Sequence, residues 1–482
     1  MFYEKVDAQV LQHLRQIVGP PHVLSDPERM LDYSHDEFSQ WEMARLPEVV
    51  VKPAGADEVA HILKLADERK IPVTPRGGAT GLCGGCVPLY GGIVLSLERM
   101  NRVIEIDKDN QMAVAEAGVT LGEFNKLVEE AGLSFPPHPG DESAMMGGLI
   151  ATNAGGSRAV KYGVIRNYIR GLEVVLPRGN ILRLGGKLMK SSTGYNLLHL
   201  MIGSEGTLGV ITQAIIQLLP GGRLTRSLVI PFAEIESAIQ CVPLILARKV
   251  MPLAVEFMEA EVIRITEEFL HKRWPAATGK TYLLVILDAE SEAEVDRQSE
   301  TVAEICLEQG GLDVFVADTP ARQEAVLEIR SKIYEAIKSH TVEILDISLP
   351  RAEIPAHVRR VREVARELDM WLPTFGHAAD GNVHTHIMRA RYENGKMVEV
   401  SEGEWRRRVD LVREKLYADC QARGGVISGE HGIGLVKKPF LSLVVDEVQL
   451  ELMKGIKKLF DPHLILNPGK IFDVGEERSQ QS

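Results

Sequence analysis

Residues 75–85 read Pro-Arg-Gly-Gly-Ala-Thr-Gly-Leu-Cys-Gly-Gly, and the strand-like run IPVTP leads straight into them. Glycines at this density let backbone N–H groups converge on an anion, as a phosphate-binding loop requires. The spacing matches neither the G-x-G-x-x-G fingerprint nor the P-loop, and no helix is predicted to follow. By itself the loop is as consistent with a tight surface turn as with a phosphate cradle. Two further stretches alter that balance. Residues 137–140 read PHPG and lead to MGGLIATNAGGSRAVKYG at 146–163, and residues 203–212 read GSEGTLGVIT. Three backbone-accessible loops in one region suit an extended cofactor with a pyrophosphate better than a single phosphate.

Around these loops the texture is α+β. From Pro47 short β runs (EVVVKP, IPVTPR, GGIVLSL, NRVIEID) alternate with Gly- and Pro-rich turns, and an amphipathic helix is predicted from Asp57 to Lys70. Ser25-Asp26-Pro27-Glu28 reads as a helix start, with Pro just inside it. Pro220-Gly221-Gly222 marks a boundary. Beyond it, charged amphipathic helices alternate with strands such as TYLLVILDA. After Glu404 two helical stretches flank GGVISGEHGIG, and the chain closes with HLILNPGKIF. The expected organisation is a domain at 1–222, a second at 223–410, and a C-terminal segment at 411–482. The polar tail from Gly475 is expected to be disordered.

Bulk properties narrow the function. A chain of 482 residues exceeds one comfortable core, so two or three domains are expected. The formal charge of −12 argues against nucleic acid, but not against a small anionic substrate. The first ten residues carry acids where a secretion signal needs a basic segment. No apolar run approaches the roughly 18 residues of a spanning helix. The five cysteines are scattered, which fits a reducing compartment. We therefore expect a cytoplasmic protein, with peripheral membrane attachment as an alternative. Cys83-Gly84-Gly85-Cys86 lacks a second cysteine pair and reads as two small residues in a crowded loop.

The densest chemistry lies at Gly376-His377-Ala378-Ala379-Asp380-Gly381-Asn382-Val383-His384-Thr385-His386. Asp380-Gly381 reads as a hairpin turn. Alternation then puts His384 and His386 on one strand face, with His377 across the turn. Glu430-His431-Gly432 adds a carboxylate and another imidazole in a glycine-rich segment. Two His and one Glu around an open position is a known metal arrangement. Separately, Gln323–His340 reads as one amphipathic helix with Val326, Ile329, Ile333 and Ile337 as its apolar stripe. Arg330 lies on that stripe, and an inward guanidinium needs an anion: a substrate carboxylate, or a buried Asp or Glu.

The combination of PRGGATGLCGG, MGGLIATNAGGSRAVKYG and GSEGTLGVIT resembles the FAD-binding domain of the vanillyl-alcohol oxidase/p-cresol methylhydroxylase superfamily. The resemblance runs over nearly the whole chain and is strongest to the D-lactate, glycolate and D-2-hydroxyglutarate dehydrogenase branch. It implies a two-subdomain, α+β FAD-binding domain, an α+β substrate-capping domain and a C-terminal helical segment returning to the flavin. In that family the first loop cradles the pyrophosphate and the later two line the isoalloxazine and adenine ends. The cofactor-binding residues so implied are Pro75, Arg76, Gly77, Gly78, Ala79, Thr80, Gly81 and Leu82 in the first loop. Pro139, Gly140, Gly147, Gly148, Thr152, Asn153, Gly156, Tyr162 and Gly163 follow in the second. Glu205, Gly206, Gly209, Ile211 and Asn467 complete the set. No His lies in the 75–85 loop, so non-covalent FAD is expected.

The family pattern G-H-x-G-D-G-N-x-H with a downstream E-H-G implies His377, His384 and Glu430 as metal ligands and His431 as the base. Ala379 stands where the family usually has Gly. The resemblance also implies Arg330 on the substrate carboxylate, with Tyr334 and His386 facing the substrate. The metal is expected to be zinc, with manganese or iron as alternatives. The implied reaction is hydride transfer from a small D-2-hydroxy acid, D-lactate or glycolate, to flavin N5. Electrons would pass to a partner: a quinone, a cytochrome, an iron–sulfur subunit or an electron-transferring flavoprotein. Dicarboxylate-oxidising relatives carry a Lys and a Thr where Ile344 and Tyr334 stand here, which favours a monocarboxylate. The rival readings are D-2-hydroxyglutarate oxidation, the ether-lipid synthase of the same superfamily, and a non-catalytic flavoprotein subunit of a larger complex.

Overall fold

The computed structural model describes residues 3–37, 43–393 and 395–474. The tail from Gly475 lies outside the described residues. The chain divides into two compact units. One comprises 1–154, 164–221 and 430–482; the other comprises 155–163 and 222–429. One division comes at Gly221/Gly222, inside the Pro220-Gly221-Gly222 run. The second division comes at Gly429/Glu430, because the helix Glu402–Ala422 packs on the helix Ile354–Glu367 and the strand Thr341–Ser348.

In the first unit a four-stranded sheet runs in the order Val23–Leu24, Val49–Val51, Ile93–Ser96, Val73–Arg76. The last three strands are parallel; Val49–Val51 and Ile93–Ser96 are buried throughout, which explains their Val/Ile/Leu runs, whereas Val73–Arg76 is buried only at Val73 and Thr74 as it enters the first glycine loop. Val10 and Leu14 of the helix Ala8–Val18, and Val59, Ile62 and Leu63 of Ala56–Arg69, close over them. The chain's end joins the same sheet: Val73 N–H donates to Ile465 O (2.8 Å) and Asn467 N–H to Val73 O (2.7 Å). A five-stranded antiparallel sheet follows, in the order Val103–Asp107, Met112–Glu116, Val210–Gln217, Ile169–Val175, Ile181–Gly185. Ser25-Asp26-Pro27-Glu28 starts only a six-residue 3-10 helix, Glu28–Tyr33.

The second unit is a seven-stranded antiparallel sheet. Its order is Phe315–Ala317, Leu224–Phe232, Thr281–Ala289, Ala254–Glu259, Thr374–His377, Asn382–Met388, Thr341–Ser348. Helices cover both faces. Ile235–Ala247, Glu292–Glu308 and Ile354–Glu367 pack on one, and Ala260–Leu270 and Pro320–Ser331 on the other. The single helix expected over 323–340 is corrected: it starts at Pro320, capped by Thr319, and stops at Ser331. A short helix Ile333–Ile337 and a 3-10 turn then follow. The Ser331 hydroxyl donates to Glu328 O (2.9 Å), where it competes with the helical N–H ladder.

Candidate active site

In the first unit the glycine-rich loops are tied to one another by hydrogen bonds. Gly203 N–H donates to Ile150 O (3.0 Å) and Glu205 N–H to Ala151 O (2.8 Å), which joins the second and third loops. Asn467 Nδ2 donates to Gly85 O (3.0 Å) and Glu205 O (2.8 Å), which joins the first and third to the chain's end. Leu435 N–H donates to Cys83 O (2.7 Å). Glu205 has a left-handed backbone (φ 50°), uncommon for a residue with a side chain. Its two carboxylate oxygens accept Ile433 N–H (2.7 Å) and Gly434 N–H (2.8 Å), immediately after Glu430-His431-Gly432. Burial pushes the Glu205 carboxyl up, although those two N–H groups and the charges of Lys437 and Lys470 oppose it.

The glycines divide by role. A Cβ at Gly140 or Gly148 would meet no atom within 4 Å, so these backbones face open space that a ligand can fill. A Cβ at Gly78 would lie 2.8 Å from Ser143 O and one at Gly147 2.7 Å from the Ala117 Cβ. Close packing of chain on chain therefore requires Gly78 and Gly147. Ile211 lies in the buried strand Val210–Gln217, where it pairs with Val174. Thr152 Oγ1 donates to Gly148 O (3.1 Å), and Asn153 Oδ1 accepts Arg166 N–H (3.0 Å). Gly156, Tyr162 and Gly163 belong to the second unit, where the Tyr162 hydroxyl donates to Asp288 (3.3 Å). Arg76 Nη1 donates to His35 O (2.6 Å). Burial raises the Cys86 thiol to about 11 against the pull of Arg76, so it is no ready nucleophile.

The second unit gathers the imidazoles. The hairpin forms as read: Thr374–His377 pairs with Asn382–Met388. Gly381 (φ 97°) occupies its turn, because any Cβ there would overlap Leu349 O. Register sets Glu256 opposite His377, His377 opposite Asn382, Phe375 opposite His384, and Asp346 opposite His384. Side chains at opposed positions share a face, so Glu256, Phe375, His377, Asn382, His384, His386, Ile344 and Asp346 all lie on one side of the sheet. The His377 and His384 rings meet edge to face with centroids 5.3 Å apart. His386 stacks on Phe375 at 4.8 Å, and Tyr334 lies 5.9 Å from His386.

Arg330 reaches the same face from its helix. Its guanidinium carbon sits 5.4 Å over the Phe375 ring, and Nε and Nη2 both donate to Glu256 Oε2, the first at 3.0 Å. Nη1 makes no hydrogen bond among the described residues. Glu256 Oε1 lies 2.6 Å from His377 Nδ1. Burial pushes the Glu256 carboxyl up, but the His377 ring and the Arg330 guanidinium beside it win and hold it at about 2.

Asp346 is fully buried beside His384, 3.6 Å from its Nδ1. Asp346 Oδ1 accepts Asn382 Nδ2 (2.8 Å), and Oδ2 accepts the Ser428 hydroxyl (3.0 Å) and Gly429 N–H (3.0 Å). The chain runs from Gly429 directly into Glu430 and His431, which are half-buried in the first unit, with His431 Nε2 4.0 Å from Glu430 Oε1. Imidazole nitrogen and carboxylate oxygen together fit a divalent transition metal.

Two family models match the chain. Residues 47–185 match the FAD binding domain, and residues 223–471 match the C-terminal domain of FAD linked oxidases. The chain belongs to the FAD-linked oxidases. Among its relatives, a D-lactate dehydrogenase of Anaerostipes hadrus is 41% identical, with 97% of this chain and 98% of that one covered. A D-lactate dehydrogenase of Archaeoglobus fulgidus is 47% identical over 88% of this chain and 91% of its own. Among solved structures, p-cresol methylhydroxylase with substrate bound superposes with a TM-score of 0.76 at 17% identity, covering 97% of both chains. The FAD-linked oxidase is thus built on the p-cresol methylhydroxylase-type fold, as the loop motifs implied.

Glu256, Asp346, Asn382 and Ser428 were not among the sequence candidates. Glu256 carried a usable signal, since an acid in the middle of the apolar run AVEFM must find a partner when buried. Among the described residues no helix is long and apolar enough to cross a membrane.

Proposed function

We propose that this FAD-dependent dehydrogenase oxidises a small D-2-hydroxy acid, D-lactate or glycolate, to the 2-oxo acid. The observation that carries the reading is the single sheet face on which Arg330, His377, His384, His386 and Tyr334 converge. The names of the relatives support the substrate class. The glycine-rich loops and Asn467 would hold FAD without a covalent bond, and bound FAD supplies the two-electron acceptor. A divalent cation, zinc before manganese or iron, would be held by His377, His384 and Glu430 and would supply Lewis acidity.

The protein's own groups then divide the work. Arg330 binds the substrate carboxylate through its Nη1 edge, since Glu256 occupies the other edge. His431 accepts the proton of the C2 hydroxyl as general base, and the glycines on either side of Glu430-His431 let the backbone approach closely. His386 and Tyr334 line the short apolar end of the site with Ile344, which suits a methyl or hydrogen substituent. Electrons then pass to a partner acceptor.

The test is an anaerobic stopped-flow mixing of purified holoenzyme with D-lactate, glycolate and D-2-hydroxyglutarate. Rapid bleaching of flavin absorbance by a monocarboxylate is expected. A flavin that no 2-hydroxy acid reduces would overturn the reading and favour a non-catalytic electron-transfer subunit.

A further inference from the structure

Glu256 sits where three N–H donors meet. It lies on the strand Ala254–Glu259, 1% exposed, and receives the His377 ring through Oε1 and Arg330 through Oε2. The two partners come from separate elements, one the hairpin strand and the other the covering helix. An ionised carboxylate only accepts hydrogen bonds, so its 2.6 Å contact fixes the proton of His377 on Nδ1. Nε2 then carries the lone pair, the form a histidine needs to bind a cation. The same carboxylate fixes the plane of the Arg330 fork.

We propose that Glu256 is a positioning residue that sets the His377 tautomer and aims Arg330, so one buried carboxylate couples the cation ligand to the carboxylate anchor. This rests on the function proposed above, but its test needs no turnover.

Glu256→Gln keeps the volume and replaces one oxygen by a donor. Arg330 makes two hydrogen bonds to Oε2 and His377 one to Oε1, so the remaining oxygen stays with Arg330 and the new NH2 faces His377. The ring must then present a lone pair at Nδ1 and carry its hydrogen on Nε2, where it cannot ligate. Zinc titration of metal-stripped full-length protein, against a competing chromophoric chelator, reads this directly. Loss of an outer-shell partner costs about 10- to 100-fold in metal affinity, and the zinc Kd of E256Q is expected to rise by at least about tenfold.

Glu259→Gln is the structural control. It removes another carboxylate of the same strand, bonded to Thr374 N–H and Arg362 and to none of the site residues. Its zinc Kd should stay within about twofold of wild type. Arg330→Met should raise the KM for D-lactate without weakening zinc. If E256Q does not fold, Glu256→Asp carries the test: it keeps the charge but retracts the acceptor, and zinc should again weaken. An E256Q or E256D protein that binds zinc like wild type, or a wild-type protein that takes up no zinc, would overturn the proposal. A chain that binds zinc as expected but fails to oxidise 2-hydroxy acids would instead count against the proposed function alone.

Discussion

Asp346→Asn is a sensitive probe of how the site is held together. Asp346 has no exposed surface and accepts from Asn382 Nδ2, Ser428 Oγ and Gly429 N–H. An asparagine can point its one oxygen at Ser428 and Gly429, but both bonds then lose their charged acceptor, about 1 kcal/mol each. Its NH2 group then faces the Asn382 amide, donor against donor. Asn382 cannot relieve this by turning over, because Nδ2 also donates to Ile347 O (3.1 Å), and a flipped amide would set two oxygens against each other. An unmet buried donor adds about 1–3 kcal/mol. Removing a buried charge offsets part of the total, which leaves a loss of about 3 kcal/mol. Urea unfolding followed by tryptophan fluorescence measures it, since Trp274, Trp371 and Trp405 all lie in the second unit. The loosened Ser428-Gly429 pair also precedes Glu430 and His431, so kcat should fall at least about tenfold, or about 1.4 kcal/mol. A variant within about 0.5 kcal/mol of wild type, with kcat unchanged, would refute the reasoning.

Other perturbations test separate parts of the site. His431→Asn should lower the rate of flavin reduction by about two or more orders of magnitude, and an unchanged stopped-flow rate would remove His431 from the reaction. Chelation, or His384→Ala, should abolish turnover while the flavin stays bound, judged by metal analysis beside the absorbance spectrum; full activity in verified metal-free protein would count against a metal role. With Ile344 and Tyr334 at the substrate end, kcat/KM for D-lactate should exceed that for D-2-hydroxyglutarate by at least about tenfold, or about 1.4 kcal/mol, in parallel assays with an artificial acceptor. Burial lowers the Lys470 ammonium from its ordinary 10.5 to about 8, only partly offset by Cys86, Glu205 and Asp36. The folded protein therefore sheds that proton before the unfolded chain does. Stability should rise between pH 8 and 10.5, by about 3 kcal/mol at the upper end. Lys470→Met should flatten that rise in urea midpoints.

The amino-acid sequence determined what depends on short-range periodicity. Strand alternation put His384 and His386 on one face, the Asp380-Gly381 turn brought His377 back across, and the three glycine motifs marked the loops proposed to hold FAD. Helical spacing put Arg330 on the buried side of its helix. The sequence also left Arg330 two possible anions, and the tertiary structure supplied one of them, Glu256, 74 residues away. Asp346 was not among the sequence candidates, because only strand pairing sets it opposite His384. Glu205 was expected at the cofactor, yet its carboxylate holds Ile433 and Gly434, 228 and 229 positions along the chain. The helix over 323–340 broke at Lys332, although its apolar stripe continues unbroken in the sequence. Spacing along a chain fixes which side chains can share a face. Sheet register and long-range hydrogen bonds fix which faces meet, and those are settled by the burial and pairing of polar groups far apart in sequence.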